Sequence, residues 1–140
     1  MKLKIKKLNP DATAPSYAHP GDAGLDLYSC EDYLLRAGER HKFNLGISAE
    51  FEVGYVVLFW DKSGLSANFG LKSLGGVIDC GYRGEWALTL LNTSNQDYQI
   101  KKGDKIGQAL IQPVVSAEIE ESSELSDTAR GAGGFGSTGR

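Results

Sequence analysis

Two cysteines, two histidines and one methionine among 140 residues leave whole classes of chemistry without their parts. Cys30 and Cys80 have no paired-cysteine spacing, so neither a zinc site nor a disulfide framework is written here, and two unpaired thiols are expected. There is no H-E-x-x-H pair, no G-x-x-x-x-G-K-[ST] phosphate loop and no G-x-S-x-G elbow; a Ser-His-Asp triad would have to draw on His19 or His41. An excess of one charge is missing too. Lys and Arg number 15 against 18 Asp and Glu, a net charge of −3, which makes no basic field for a phosphate backbone and disfavours nucleic-acid binding. Long apolar runs are also lacking. Met1 to Lys7 carries four lysines, and the Leu8-Asn9-Pro10-Asp11 that follows supplies neither a signal peptide nor a membrane span, so a cytoplasmic protein is expected.

What is present is a strand-rich pattern. A chain of this length and 41% hydrophobic content fits one domain, which buries roughly two-thirds of its unfolded surface and needs no metal or disulfide to fold. Leu3, Ile5 and Leu8 interleave with lysines as a half-buried strand with a charged edge. Further runs at Leu25 to Tyr28, Lys42 to Leu45, Tyr55 to Trp60, Trp86 to Leu91 and Ile106 to Val115 are bounded by turn residues, which predicts a mostly β sandwich or barrel. Ser63 to Phe69 is the one short helix, with Ser63 as its cap and Gly70 as its stop. From Glu118 an acidic stretch leads into a glycine-rich end, so residues 1–117 read as the core domain and 118–140 as a mobile tail.

The 18 glycines, about twice ordinary usage, fall in clusters that carry the remaining chemistry. In Ala23-Gly24-Leu25-Asp26-Leu27, Asp26 points opposite to its apolar neighbours, as an outward strand carboxylate or as a site residue. Asp61-Lys62-Ser63-Gly64 gathers a cation, a hydroxyl and backbone N–H groups where a phosphate can sit, or simply caps a helix. Gly75-Gly76-Val77-Ile78-Asp79 runs through Cys80 and Gly81 into Tyr82-Arg83-Gly84-Glu85. That stretch reads as a hairpin in which burial makes Asp79 a stronger base and Tyr82 walls a pocket, unless Asp79 only closes the turn. Gln108 shares the face of Ile106 and Leu110 and needs a partner, while Asp104 is a turn residue. In the tail, Phe135 can stack on a base, Ser137 and Thr138 can donate to phosphate and Arg130 can clamp it; the same composition also suits disorder.

In this order, the five segments resemble the five motifs of the homotrimeric deoxyuridine triphosphate nucleotidohydrolases, the dUTPases. Gly76-Val77-Ile78-Asp79 with Tyr82-Arg83-Gly84-Glu85, and Arg130-Gly131 with Gly133-Gly134-Phe135-Gly136-Ser137-Thr138-Gly139, carry most of the likeness. The resemblance implies a distorted jelly-roll-like (β-clip) subunit, a homotrimer with interfacial sites, and a tail lent by a neighbour. It implies hydrolysis of dUTP to dUMP and pyrophosphate by water attack on the α-phosphorus. Asp79 is then the base, and Val77 and Ile78 read uracil through their backbone while Tyr82 packs on deoxyribose. Lys62, Ser63, Gly64 and Gln108 contact phosphate, and Asp26 holds waters of a Mg²⁺ with no direct protein ligand. Arg130, Phe135, Gly136, Ser137 and Thr138 close over the substrate.

Three positions depart from the family pattern. Asp61-Lys62 replaces Pro-Arg, so a bidentate fork becomes a point charge, with a carboxylate beside it that repels phosphate unless it pairs with Lys62 or turns away. Ser73 stands where many members carry an Asn that helps read the base, and Gly81 replaces a frequent Asp. The alternatives are a nucleotide-dependent regulatory binding protein, for which no insertion is visible, and a dCTP-deaminase-type relative, against which the tail and the Asp79 segment both argue.

Overall fold

The structure is a computed structural model that describes residues 1–134. Its elements in chain order are β1 (Lys4–Lys7), β2 (Gly24–Tyr28), β3 (Tyr33–Leu35), β4 (Arg40–Asn44), β5 (Ile47–Glu50), β6 (Tyr55–Trp60) and α1 (Ser63–Phe69). They continue with β7 (Leu71–Leu74), β8 (Val77–Asp79), β9 (Ala87–Asn92), β10 (Tyr98–Ile100) and β11 (Lys105–Pro113). Two sheets, ordered β2-β11-β6-β8 and β4-β9-β7, enclose the core, and the pairs β1-β5 and β10-β3 cover its ends. Every named ladder is antiparallel. The fold is a mostly β, jelly-roll-like single domain with one short helix.

Alternation explains the packing of β9, whose Leu88, Leu90 and Asn92 face inward while Ala87, Thr89 and Leu91 are half-covered. Leu27, Leu35, Phe43, Trp86, Leu88, Ile100, Ile106 and Ala109 form the buried centre, with Phe59 edge-on to Trp86 at 5.3 Å. Leu8 lies beyond β1 and is exposed, so the amino-terminal strand buries less than its alternation suggests. Both cysteines are free thiols; burial pushes the Cys30 thiol up, and its Sγ donates to Leu45 O at 3.0 Å.

Two corrections bear on the site. The segment around Asp79 is not a hairpin: β8 pairs with β6 in one sheet and β9 pairs with β4 and β7 in the other, so the turn between them crosses the sandwich. Gly76 serves the preceding connection, from β7 to β8, which also passes from one sheet to the other, with φ of 105° and a would-be Cβ only 2.6 Å from Phe59 Cβ. A bulge between Lys105 and Gly107 also breaks the alternation of β11, so Ile106 and Ala109 reach the core while Gln108 does not share the face of Ile106. Among the described residues, no helix is long and apolar enough to cross a membrane.

Candidate active site

β2 carries Asp26 between Leu25 and Leu27, and all three are buried, with Asp26 only 2% exposed. The outward reading of Asp26 therefore fails, because the second face of β2 is also covered. The Asp26 N–H donates to Ser16 O across an isolated bridge, and two lysine stems lie over the carboxylate. Lys62 Nζ donates to Oδ1 at 2.5 Å. Lys105 Nζ pairs with Oδ2 at 2.6 Å, so each oxygen of this buried carboxylate faces one ammonium.

Burial pushes the Asp26 carboxyl up, but the ammoniums of Lys105 and Lys62 outweigh it and hold the group below its ordinary 3.8. A depressed folded-state value means that the stabilisation is present above 3.8 and disappears as pH falls through the lower folded value. Asp26→Asn is expected to lose about 1–3 kcal/mol at neutral pH, less than a fully buried pair because both lysines are partly solvated. Denaturant melts at a series of pH values check this. The gap between wild type and variant narrows as pH falls below 3.8 through the lower folded value.

Gln108 lies in register with Asp26 on one side and Trp60 on the other, and its Nε2 donates to Asp61 O at 2.9 Å. Asp61 turns away from Lys62. Its Oδ1 accepts from Ser73 N at 2.7 Å and Ser73 Oγ at 2.6 Å, and its Oδ2 pairs with Lys72 Nζ at 2.7 Å. Burial raises the Asp61 carboxyl, and the Lys72 and Ser73 contacts more than offset it, so the group sits below the usual carboxylate range.

The cap of α1 is Lys62, not Ser63, and no side chain fills that role, which leaves the Ser63 hydroxyl and the first N–H groups of the helix turned to solvent. Gly70 ends the helix as expected, left-handed at φ 69° and donating to Leu65 O and Ser66 O.

Asp79 ends β8 opposite Val56 and is exposed in this chain, so the burial expected from its apolar neighbours is not found here. Among the described residues its carboxylate makes no hydrogen bond or ion pair; only its carbonyl accepts, from Tyr82 N at 3.0 Å. Tyr82 OH donates to Glu85 O at 3.1 Å and lays the ring over Gly84. Val77 is 67% exposed while Ile78 is buried. Phe59, Trp60, Ser73, Gly75, Gly76 and Val77 line a cavity of about 250 Å³ beside β8.

Four residues of β6 separate the Trp60 row from the Val56 row, and β2 lies three strands from β8. At strand spacings the Asp26 cluster and Asp79 are therefore roughly 20 Å apart on one chain. Arg130 is exposed, and its Nε donates to Gly133 O at 2.8 Å within the tail; Phe135, Gly136, Ser137 and Thr138 lie outside the described residues.

A family model described as dUTPase matches residues 10–139. The chain belongs to the dUTPase family. It is 51% identical to the deoxyuridine 5'-triphosphate nucleotidohydrolase of Nautilia profundicola, with all of both chains covered. It is 46% identical to that of Thermobifida fusca, over 99% of this chain and 79% of the relative. Staphylococcus bacteriophage 80alpha dUTPase with dUpNHpp superposes at a TM-score of 0.93 and 28% identity, covering 99% of each chain. A mutant dUTPase from phage phi11 of S. aureus, whose structure concerns coordination of a structural Mg(II) ion, matches at 0.85 and 25% identity, over 91% of this chain and all of that one. The activity of the chain is the hydrolysis of dUTP.

For a dUTPase, the structure brings Asp26, Lys62 and Gln108 into one cluster and Ser73, Val77, Ile78 and Asp79 into another; Asp61 links Gln108 to Ser73, while Asp79 stays apart from Asp26. Nothing in the sequence singles out Lys105. Lys105 precedes the bulge in β11 and reaches Asp26 only because β11 and β2 are neighbours. Asp61 was legible as a departure from the family pattern, but its partners on β7 were not. Among the described residues, no group of three or more His, Cys, Asp or Glu side chains can hold a metal ion.

Proposed function

We propose that this dUTPase cleaves dUTP to dUMP and pyrophosphate at sites shared among three subunits, with residues 1–117 as the core and 118–140 as a closing tail, acting on the cytoplasmic nucleotide pool. The observation that carries this reading is the separation of an intact phosphate-type cluster from an unoccupied carboxylate, Asp79, on a chain whose β8 edge and tail expose apolar side chains. Val77, Leu74 and Trp60 near that edge, and Val115, Ile119 and Leu125 beyond it, are exposed and suit contact with further copies of the chain. A threefold arrangement lets the Asp79 of one subunit face the Asp26 cluster of another.

In such a site Asp79 accepts a proton from water as the water oxygen bonds to the α-phosphorus. The bond from that phosphorus to the bridging oxygen breaks, and pyrophosphate departs with the electron pair. Val77 and Ile78 present backbone groups to uracil, Ser73 lines the same cavity, and Tyr82 swings from Gly84 onto the deoxyribose. Lys62 moves from Asp26 to the phosphates, where Ser63, Gly64 and Gln108 add donors. The Asp26 carboxylate, buried and released by Lys62, would accept from a water carried by Mg²⁺. When bound, Mg²⁺ neutralises charge on the triphosphate oxygens. Arg130, Ser137 and Thr138 reach the terminal phosphate while Phe135 and Gly136 cover the base, which excludes bulk water.

Pyrophosphate release measured with dUTP, UTP, dTTP and dCTP in the presence of Mg²⁺ tests the reading. A kcat/KM for dUTP at least about a hundredfold above the others is expected, since a pocket built on one base edge leaves polar groups unpaired with the wrong base. Equal cleavage of all four, or ammonia release from dCTP, would sink it.

A further inference from the structure

Asp61 and Ser73, two positions that depart from the family pattern, touch each other. β7 stands at the edge of its sheet, with β9 on one side, so Ser73 N–H faces away from the ladder and is satisfied by Asp61 Oδ1 at 2.7 Å. The same Oδ1 receives the Ser73 hydroxyl proton at 2.6 Å. An ionised carboxylate only accepts, so the hydroxyl must donate to it, and only its oxygen lone pairs remain for anything else. Ser73 is 9% exposed and lines the cavity beside β8. Lys72 holds Asp61 Oδ2 at 2.7 Å, the Ser73 N–H holds Oδ1, and Gln108 fixes the Asp61 main-chain carbonyl, so the carboxylate cannot follow a rotating hydroxyl.

We propose that Asp61 is a positioning residue for base selection: it locks the Ser73 hydroxyl as a pure acceptor aimed into the base cavity, which accepts the ring N3–H of an imide base. Uracil and thymine carry that N–H. Cytosine has a bare lone pair at the same ring position, which would face the lone pairs of Ser73. The device therefore discriminates against cytosine and is blind to the 5-methyl group, whose exclusion must be steric. Asp61 does this at one remove, since it touches Ser73 and not the ligand. The inference rests on the proposed placement of the base in this cavity.

The test compares wild type with Asp61→Ala, Asp61→Asn, Ser73→Ala and the Asp61→Ala/Ser73→Ala double variant. Each is assayed for kcat and KM on dUTP, dCTP and dTTP, and for dUMP and dCMP binding by calorimetry. Asp61→Ala frees the hydroxyl to donate, and is expected to raise KM for dUTP about tenfold, keep kcat within about threefold, and cut dUTP over dCTP selectivity about tenfold. Selectivity for dUTP over dTTP stays unchanged, which a general loosening of the pocket would not allow. Asp61→Asn still offers Oδ1 to both Ser73 donors and is expected to retain selectivity within about threefold of wild type. The double variant is no worse than the poorer single one, because both act through one hydroxyl.

Unchanged cytosine rejection in Asp61→Ala, equal damage in Asp61→Asn, or losses that multiply in the double variant would overturn the proposal. If Asp61→Ala does not fold, Ser73→Ala decides the matter. It leaves Asp61 bonded to Lys72 and the Ser73 N–H, and retained dUMP over dCMP preference then counts against the inference. Wild-type protein that prefers dUMP to dCMP but leaves dUTP intact would overturn the proposed reaction alone. Normal dUTP hydrolysis with selectivity unmoved by Asp61→Ala would overturn this inference alone.

Discussion

Replacing Asp79 with asparagine is expected to lower kcat on dUTP about a thousandfold, with KM within about threefold and the melting temperature unchanged. A thousandfold loss corresponds to about 4 kcal/mol of transition-state stabilisation, within the range for a positioned general base. The Asp79 side chain does little for the fold. Among the described residues its carboxylate holds no donor and no cation, and it ends a three-residue strand at an exposed edge. Asparagine keeps the size and the Tyr82 N–H bond to the carbonyl, and loses only the basic oxygen. Steady-state kinetics on the purified variant, with dUTP binding by calorimetry, check both halves. A variant that keeps a tenth or more of its turnover would show that another group activates the water.

Removal of residues 130–140 should leave a folded, assembled protein that binds dUMP but turns over dUTP about a hundredfold or more slowly. Structure already argues that the core does not need this segment. Val114 N donates to Gly54 O, and beyond it no hydrogen bond among the described residues ties the tail to residues 1–113. Val115 at 91% exposed and Leu125 at 91% exposed have no covering surface on their own chain, which favours a neighbour as the acceptor.

Mixing the truncated chain with the Asp79→Asn chain separates the two geometries. If the tail is lent to a neighbour, about one site in four of a random equimolar trimer carries both an intact Asp79 and an intact tail, and activity reappears on mixing. If the tail closes over its own Asp79, no site is complete and no activity returns. Sedimentation of both parents and the mixture confirms that exchange has occurred.

Much of the architecture was legible because it is local. The long apolar runs of β6, β9 and β11 announced themselves by composition, and α1 by its stop at Gly70. Three-residue strands such as β3, β8 and β10 are too short to carry a period, and they exist because a neighbour offers a ladder. The apparent hairpin at Asp79 failed for the same reason: the glycine turn was visible, but nothing within it says which sheet each arm joins.

Asp26 shows the other limit. Its alternation with Leu25 and Leu27 places it on the opposite face, which is correct, but that face is covered by the Ser16 bridge and by the stems of Lys62 and Lys105. By itself the sequence determined the motifs, their order, the β class and the family, since each depends on residues close together along the chain. Tertiary structure alone decided that Asp26 is buried and doubly paired, that Asp61 grips Ser73 in place of Lys62, and that Asp79 stands away from the phosphate cluster. Those outcomes depend on which strands lie side by side, and strand neighbours are chosen by the packing of the whole core, not by the residues at the site.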